Sequence, residues 1–293
     1  MAQQLVNGLF TGSVYALFAV GYTLIFGVLD ILNLAHQAVF TAAAFLCLTL
    51  VVRFHVPVLL GLPLAMLAAG VMGLLLDRIA FRPLRYRPDT HFSVLISSIG
   101  MGIIFESLIL GAYGAQVYRF PQGTFPDVVY QVAGARISLL QVTVIGTALL
   151  MMAALTALLR ATRFGKAIRA VAQDQRAAGL LGIDVDRIIA ASFFIASALG
   201  GAAGVLSALA FNVLTPDMGR GVELKGLAVI IVGGMGSIPG AVLGGLILGF
   251  VEVLSVALSG QSQLRDAISF ALLFVILLVR PRGLLGARGL REA

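Results

Sequence analysis

The sequence predicts an all-α fold, a polytopic transmembrane helical bundle of about 8–9 spans with broken helices. Three observations carry that prediction. Of 293 residues, 60% are hydrophobic and 11% charged, against roughly 45–50% and about 25% in soluble domains. With a mean hydropathy of +1.04, a soluble fold could not cover the apolar surface. Second, the stretches 5–29, 31–52, 56–76, 137–159, 188–216 and 226–251 are almost free of charge, each near the roughly 20 residues that a membrane crossing needs. Third, 14 of the 20 Lys and Arg residues fall in three segments: Arg78, Arg82, Arg85 and Arg87; Arg160, Arg163, Lys166, Arg169, Arg176 and Arg187; and Arg280, Arg282, Arg288 and Arg291. Clustered cations mark the cytoplasmic side of a membrane protein, so the net charge of +7 reports orientation and no nucleic-acid partner is expected.

Threading follows from those anchors. Span one (5–28) enters from outside and span two (36–52) returns to a short outer turn. Span three (56–76) reaches the first basic loop, and span four (92–113) leads to an outer loop at 114–135 with Pro121 and Pro126. Span five (136–159) arrives at the second basic segment, and span six (188–211) leads out to NVLTPDMGRG. Beyond it, 223–232 is apolar but short, GGMGSIPG interrupts it, 241–258 is a full span and 264–279 a short last one. Counting the broken piece gives nine crossings with the amino terminus outside; a re-entrant piece gives eight and moves that terminus inside. MAQQLVN has no positive n-region, so no cleaved signal peptide is expected. A single membrane domain, 1–293, includes a cytoplasmic segment at 160–187 and a cytoplasmic tail at 280–293.

The 34 glycines are placed by fours. Gly236, Gly240 and Gly244 share one helical face, Gly245 and Gly249 continue one position round, and Gly8 with Gly12 and Gly200 with Gly204 repeat the interval. Such faces let membrane helices approach closely where lipid supplies no hydrophobic drive. Gly233, Gly234 and Pro239 break an apolar run instead, and freed backbone at membrane depth survives only against protein or a water-filled cavity. A second break, DILNLAHQ at 30–37, reads either as a cytoplasmic turn or as a discontinuous helix whose Asn33, His36 and Gln37 face a translocation route. Glu106 and Glu252 are the clearest ionisable residues within spans; each reads either as a group satisfied by a neighbouring helix or as a pathway residue.

Several chemistries lack their residues. The only Gly-Lys pair, Gly165-Lys166, has Arg160 where a P-loop needs its first glycine and Ala167 where it needs Ser or Thr. His36, His55 and His91 lie apart, without HExxH spacing, and GxSxG does not occur. The lone Cys47 has no partner for a disulfide or a cysteine metal site. No enzymatic activity, metal or cofactor bound by this chain is therefore expected.

The segment 160–187 is patterned. Ile168, Val171, Ala178 and Leu181 can share one stripe of a short amphipathic helix and Arg169, Gln173 and Arg176 another, with Gly179 or Gly182 as its stop. On composition alone this is equally a helix lying on lipid and a docking helix for a cytoplasmic partner.

Three stretches, NGLFTGSVYALFAVGYTLIFGVLDILNLAHQAVF, FGKAIRAVAQDQRAAGLLGIDV and LKGLAVIIVGGMGSIPGAVLGGLILG, resemble the signature segments of bacterial branched-chain amino acid ABC transporter permeases. The resemblance runs nearly end to end, and within that family the chain looks like the shorter permease subunit of the high-affinity importer. It implies residence in the bacterial inner membrane with a cytoplasmic carboxyl terminus. The implied partners are a second homologous permease, two ATPase subunits that use ATP and Mg, and a periplasmic substrate-binding protein. By the same resemblance Gly165, Arg169, Ala178, Gly179 and Gly182 couple to the ATPase. Asn33, Ala35 and His36 match the broken first-helix segment, and Gly233, Gly234, Gly236 and Gly240 the glycine-rich turn. Gln37 departs from the glycine expected in many relatives. Asn33, His36, Glu106, Gly233, Gly234, Gly236 and Glu252 form the candidate translocation pathway. Permeases for amides, urea or aromatic acids, and a secondary transporter or channel using Glu106 or Glu252, remain alternatives.

Overall fold

A computed structural model describes residues 2–85, 90–132, 134–261, 263–281 and 283–286. Arg87, Arg282, Arg288 and Arg291 of the basic clusters, and most of the 280–293 tail, lie outside the described residues.

Apolar stretches too long to leave the bilayer become helices because a helix satisfies its backbone groups internally. They are α1 (Ala2–Leu29), α2 (His36–Phe54), α3 (Val58–Leu76), α4 (Thr90–Tyr113), α5 (Leu139–Ala161), α6 (Arg163–Gln173), α7 (Gln175–Leu180), α8 (Val185–Phe211), α9 (Met218–Gly233), α10 (Ile238–Ser259) and α11 (Leu264–Val279). A π-helical turn, Asp77–Phe81, extends α3. Polar residues punctuate the ends. Ser138 and Gln141 form a reciprocal capping box at α5, while Thr162, Asp174, Asp184 and Ser237 accept backbone N–H bonds at the starts of α6, α7, α8 and α10.

The core is built on α1 and α8, apolar on every side and buried along most of their length, as a central membrane helix should be. Helix α10 runs antiparallel to α1. A Cβ on Gly12 would stand 2.9 Å from Leu246 Cα, and one on Gly245 2.5 Å from Ala16 Cα. The interval of four seen in the sequence thus serves two contacts: Gly240 and Gly244 face α9, while Gly245 and Gly249 face α1. Helices α3, α4 and α5 sit outside, with Leu60, Leu67, Ile96, Ile103, Leu108 and Leu150 turned outward.

Two elements depart from the sequence expectation. The outer loop is not wholly irregular: β1 (Val129–Val132) and β2 (Ala135–Ser138) form an antiparallel hairpin pairing Val129 with Ser138, so α5 begins at Leu139 rather than 136. The segment 160–187 is two helices, because Asp174 leaves the helical region (φ −157°) and caps α7.

Gln3 ties the amino-terminal end to the hairpin, donating to the Arg136 carbonyl at 3.1 Å and accepting from its amide at 2.8 Å. At the opposite end Leu284 and Leu285 donate to the carbonyls of Val232 and Gly233 at 2.8 and 2.9 Å, and the described residues of all three basic clusters gather there. Among the described residues the chain passes the bundle nine times. Seven helices are long and apolar enough to cross a membrane; α9 and α11, at 16 residues each, complete the passes. Of the two counts the sequence leaves open, the fold follows nine.

Candidate functional site

The break after α1 lies inside the bundle. Asp30 ends the helix with a left-handed φ of 57°, and residues 30–35 turn back rather than leave. The Leu34 amide donates to Ser98 Oγ at 3.2 Å, and a Cβ on Gly102 would lie 3.3 Å from Ala35 Cα. Ser98 and Gly102 stand about 12 and 18 Å along α4 from its start. DILNLAHQ is thus a helix break within the bundle rather than a turn outside it.

Asn33 and His36 are both enclosed there. Asn33 Oδ1 accepts from the Ala35 amide at 3.2 Å, pinning the turn that starts α2. The His36 ring, 0% exposed, lies 5.0 Å from the Phe18 ring and 5.6 Å, edge-on, from Tyr22. It fits because Gly200 has no side chain: a Cβ would stand 2.5 Å from His36 Cε1. Neither His36 nitrogen makes a well-formed hydrogen bond, the Phe18 carbonyl being the acceptor at its side. Asn33 Nδ2 and Tyr22 OH are likewise buried without a partner. Unpaired polar atoms gathered in this way are uncommon in a packed interior and mark this as the polar heart of the bundle.

Glu106 and Glu252 both face cations that the sequence reading passed over. Arg220 on α9 pairs with Glu106 at 2.9 Å. Glu252, 1% exposed at its side chain, meets Lys225 at 2.5 Å and Arg265 at 3.4 Å, and Lys225 also reaches Asp266 at 3.1 Å and Tyr15 OH at 3.1 Å. The sequence signal was present but faint: Arg220, Glu223 and Lys225 are spaced by three and two in an otherwise apolar run, and their partners are far away in sequence. Glu106 lies one turn along α4 from Gly102, and so near the broken segment; Glu252 belongs to a separate cluster between α9, α10 and α11.

Gly233, Gly234 and Gly236 lie at the end opposite the hairpin. Gly233 faces the Gly240 backbone, Gly234 (φ 105°) and Gly236 (φ 79°) adopt conformations that favour glycine, and the chain at Leu285 and Gly286 crosses directly over Gly234. Their part is to reverse the chain between α9 and α10.

At the same end, α6 folds against α5. A side chain on Gly165 would collide with the carbonyls of Leu158 and Leu159, and the Arg169 guanidinium donates to the Leu159 carbonyl, neutralising the helix C-terminus. Ile168, Val171 and Ala178 are buried as the stripe predicts, but Leu181, assigned to that stripe, is 81% exposed and Leu180 is 90% exposed. Gly182, with φ 84°, closes the helix through its amide to the Gly179 carbonyl. From there the chain enters α8, where Asp186 accepts from Arg82 at 2.8 Å and Arg85 at 2.7 Å; Arg85 also grips Asp77 at 2.5 Å. Neither the exposed leucines nor this network was read from the sequence.

Residues 4–277 match the protein family described as branched-chain amino acid transport system / permease component. Over 97% of its length the chain is 36% identical to the high-affinity branched-chain amino acid transport system permease protein BraD of Pseudomonas aeruginosa, and equally to LivH of Escherichia coli K12, covering 95% of each. The fold resembles that of a metal-chelate type ABC transporter solved in an inward-facing conformation, with a TM-score of 0.53 and 17% identity over 95% of this chain and 85% of that one.

Proposed function

Since the chain belongs to the family of permease components of branched-chain amino acid transport systems, we propose that it is the shorter permease subunit of an ATP-driven importer of branched-chain amino acids. The observation that carries the substrate is the 36% identity, nearly end to end, to two permeases named for that transport. The chain builds the route together with a second, homologous permease. ATP and Mg are used by two cytoplasmic ATPase subunits, and a periplasmic binding protein delivers the substrate. The end that gathers the cations faces the cytoplasm of a bacterial inner membrane, by the positive-inside rule; the hairpin and the amino terminus face the binding protein.

Alternating access then follows from the parts. The exposed tip of α7, with Leu180 and Leu181 beside Gly179 and Gly182, seats on the ATPase. Arg169 and Gly165 weld α6 to α5, so displacement of the tip moves α5 and, along the chain that enters it, α8, whose Asp186 holds Arg82 and Arg85 beyond the end of α3. Helix α8 carries Gly200 against His36, which brings the motion to the broken segment and to the pathway residues Asn33, His36 and Glu106.

The test is uptake by the reconstituted complex against leucine, isoleucine, valine, amides, urea and aromatic acids. ATP-dependent uptake of the branched-chain acids in preference to the rest is expected. Uptake without an ATPase subunit, or confined to the other substrates, overturns the reading.

A further inference from the structure

The Arg220–Glu106 pair does not behave as a buried structural lock. Glu106 is 14% exposed at its side chain but Arg220 is 66% exposed. Helical rise puts Glu106 about 10 Å inside the end of α4 at Tyr113, on a helix whose outward residues Ile103, Ile104 and Leu108 are apolar. A guanidinium is poorly tolerated against hydrocarbon, and charged groups at this depth face other protein or a water-filled cavity. This side of the bundle is therefore a wall of the route or of the joint with the second permease.

The groups around the pair are arranged by charge. Arg220 spends Nε and Nη2 on Glu106, and among the described residues its Nη1 makes no hydrogen bond. Glu223, three residues further along α9, has its Oε1 buried without a partner and lies within electrostatic reach of both Glu106 and Tyr22. Gly219 packs on the Gln37 carbonyl, where a Cβ would also meet Thr41 Oγ1 at 2.6 Å, so the cluster rests against the first turn of α2. A cation paired with one carboxylate, with the Glu223 carboxyl about one turn further along α9 and the exposed apolar Leu224 beside it, complements a molecule bearing one carboxylate, one ammonium and an apolar side chain.

We propose that Arg220, Glu106 and Glu223 form a subsite in the outer half of the route that receives a zwitterionic amino acid. The guanidinium donates to its α-carboxylate, and its α-ammonium donates to Glu223 and Glu106. The subsite rests on the importer reading above. It lies between the outer face and the polar heart at His36, and Glu223, near Tyr22, joins the two.

The test uses the full complex in proteoliposomes with leucine-loaded binding protein. Arg220→Gln, Glu106→Gln and Glu223→Gln each lower leucine uptake at least about tenfold, the loss expected of a charge-assisted hydrogen bond, while the subunits still co-purify. Reversing the pair, Glu106→Arg with Arg220→Glu, fails to restore uptake, because a carboxylate then stands beside Glu223 where the substrate's carboxylate must dock. Arg220→Cys gives a thiol that a membrane-impermeant reagent labels from outside and that leucine-loaded binding protein protects; the native Cys47 is buried. Wild-type uptake in the Gln variants, rescue by the reversed pair, or an unlabelled Cys at 220 overturns the subsite and leaves the importer standing. A wild-type complex that imports no amino acid defeats both.

Discussion

Lys225 Nζ stands 2.5 Å from Glu252 Oε1, joining α9 to α10, and the carboxylate it meets is 1% exposed at its side chain. Removing Lys225 leaves the buried Glu252 only the longer contact with Arg265 at 3.4 Å, a loss of up to about 3–5 kcal/mol, whereas replacing both members of a buried pair with apolar groups is often neutral. Lys225→Met should therefore depress the unfolding temperature in detergent sharply. Lys225→Met with Glu252→Leu should recover most of it, since Arg265 and Asp266 are 41% and 64% exposed at their side chains and can turn to water. A double variant no better than the single would show that the charges themselves are needed.

The α1–α10 contact depends on absent side chains. A Cβ on Gly249 would collide with the Gly12 backbone, whereas one on Gly146 of α5 has nothing within 4 Å. Gly249→Ala should destabilise the chain by about 1–3 kcal/mol, the usual cost of overpacking. Gly146→Ala should be neutral or slightly stabilising, because glycine within a helix is unfavourable by about 0.5–1 kcal/mol. Thermal unfolding of the purified chain compares the two, and equal effects would refute the packing argument.

Arg85 bridges Asp77, at the end of α3, and Asp186, in the first turn of α8, with 5% of its side chain exposed. The bridge ties α3 to the start of α8, where the chain leaves the cytoplasmic helices for the spans, so cutting it should separate ATP hydrolysis from transport. In a reconstituted complex Arg85→Ala should hydrolyse ATP while uptake falls about tenfold or more, the scale of losing two charge-assisted hydrogen bonds. Arg85→Lys, which keeps the charge but not the two-pronged geometry, should fall between. Proportional loss of both activities would point to folding alone.

What the sequence revealed, and what it withheld, follows from the range of each interaction. Span positions and the glycine faces that carry Gly12 and Gly249 are local or periodic, so composition and an interval of four expose them; that these two faces meet each other is supplied by the fold. The break at 30–35 was visible as polar residues, but its depth depends on Ser98 and Gly102 in another helix, and only folding supplies that. Lys225 with Glu252 and Arg220 with Glu106 join residues 27 and 114 positions apart, which no window of sequence can see. One amphipathic helix within 160–187 would bury Leu181 with Ile168, Val171 and Ala178, but Asp174 ends α6 early and the separate α7 leads Leu181 into solvent.

His36 is held between Phe18, Tyr22 and the bare backbone of Gly200, and Asn33 shapes the turn that begins α2. His36→Leu keeps the volume and removes both nitrogens; Asn33→Leu removes the acceptor for the Ala35 amide. Both should lower uptake by the reconstituted complex while the subunits still co-purify, with Asn33→Leu also costing about 1 kcal/mol of stability for the lost cap-like bond. Unchanged uptake would remove both residues from the pathway.

At the tip of α7 the physics separates a lipid-lying helix from a docking one. Leu180 and Leu181 are 90% and 81% exposed, side by side, ahead of a Gly182 whose φ of 84° fixes the direction in which the tip points. A helix lying on lipid would need only an apolar residue and nearby cations there, so Leu181→Phe should be tolerated and Leu181→Ser should loosen membrane association. A docking tip needs a particular shape. Leu181→Phe and Leu181→Ser should then both weaken co-purification of the ATPase, and Gly182→Ala should do so too, because a side chain in the left-handed region costs about 1 kcal/mol and swings the tip. Co-purification of the ATPase with each variant, measured beside vesicle flotation, decides between them: normal ATPase recovery with all three would assign the segment to lipid.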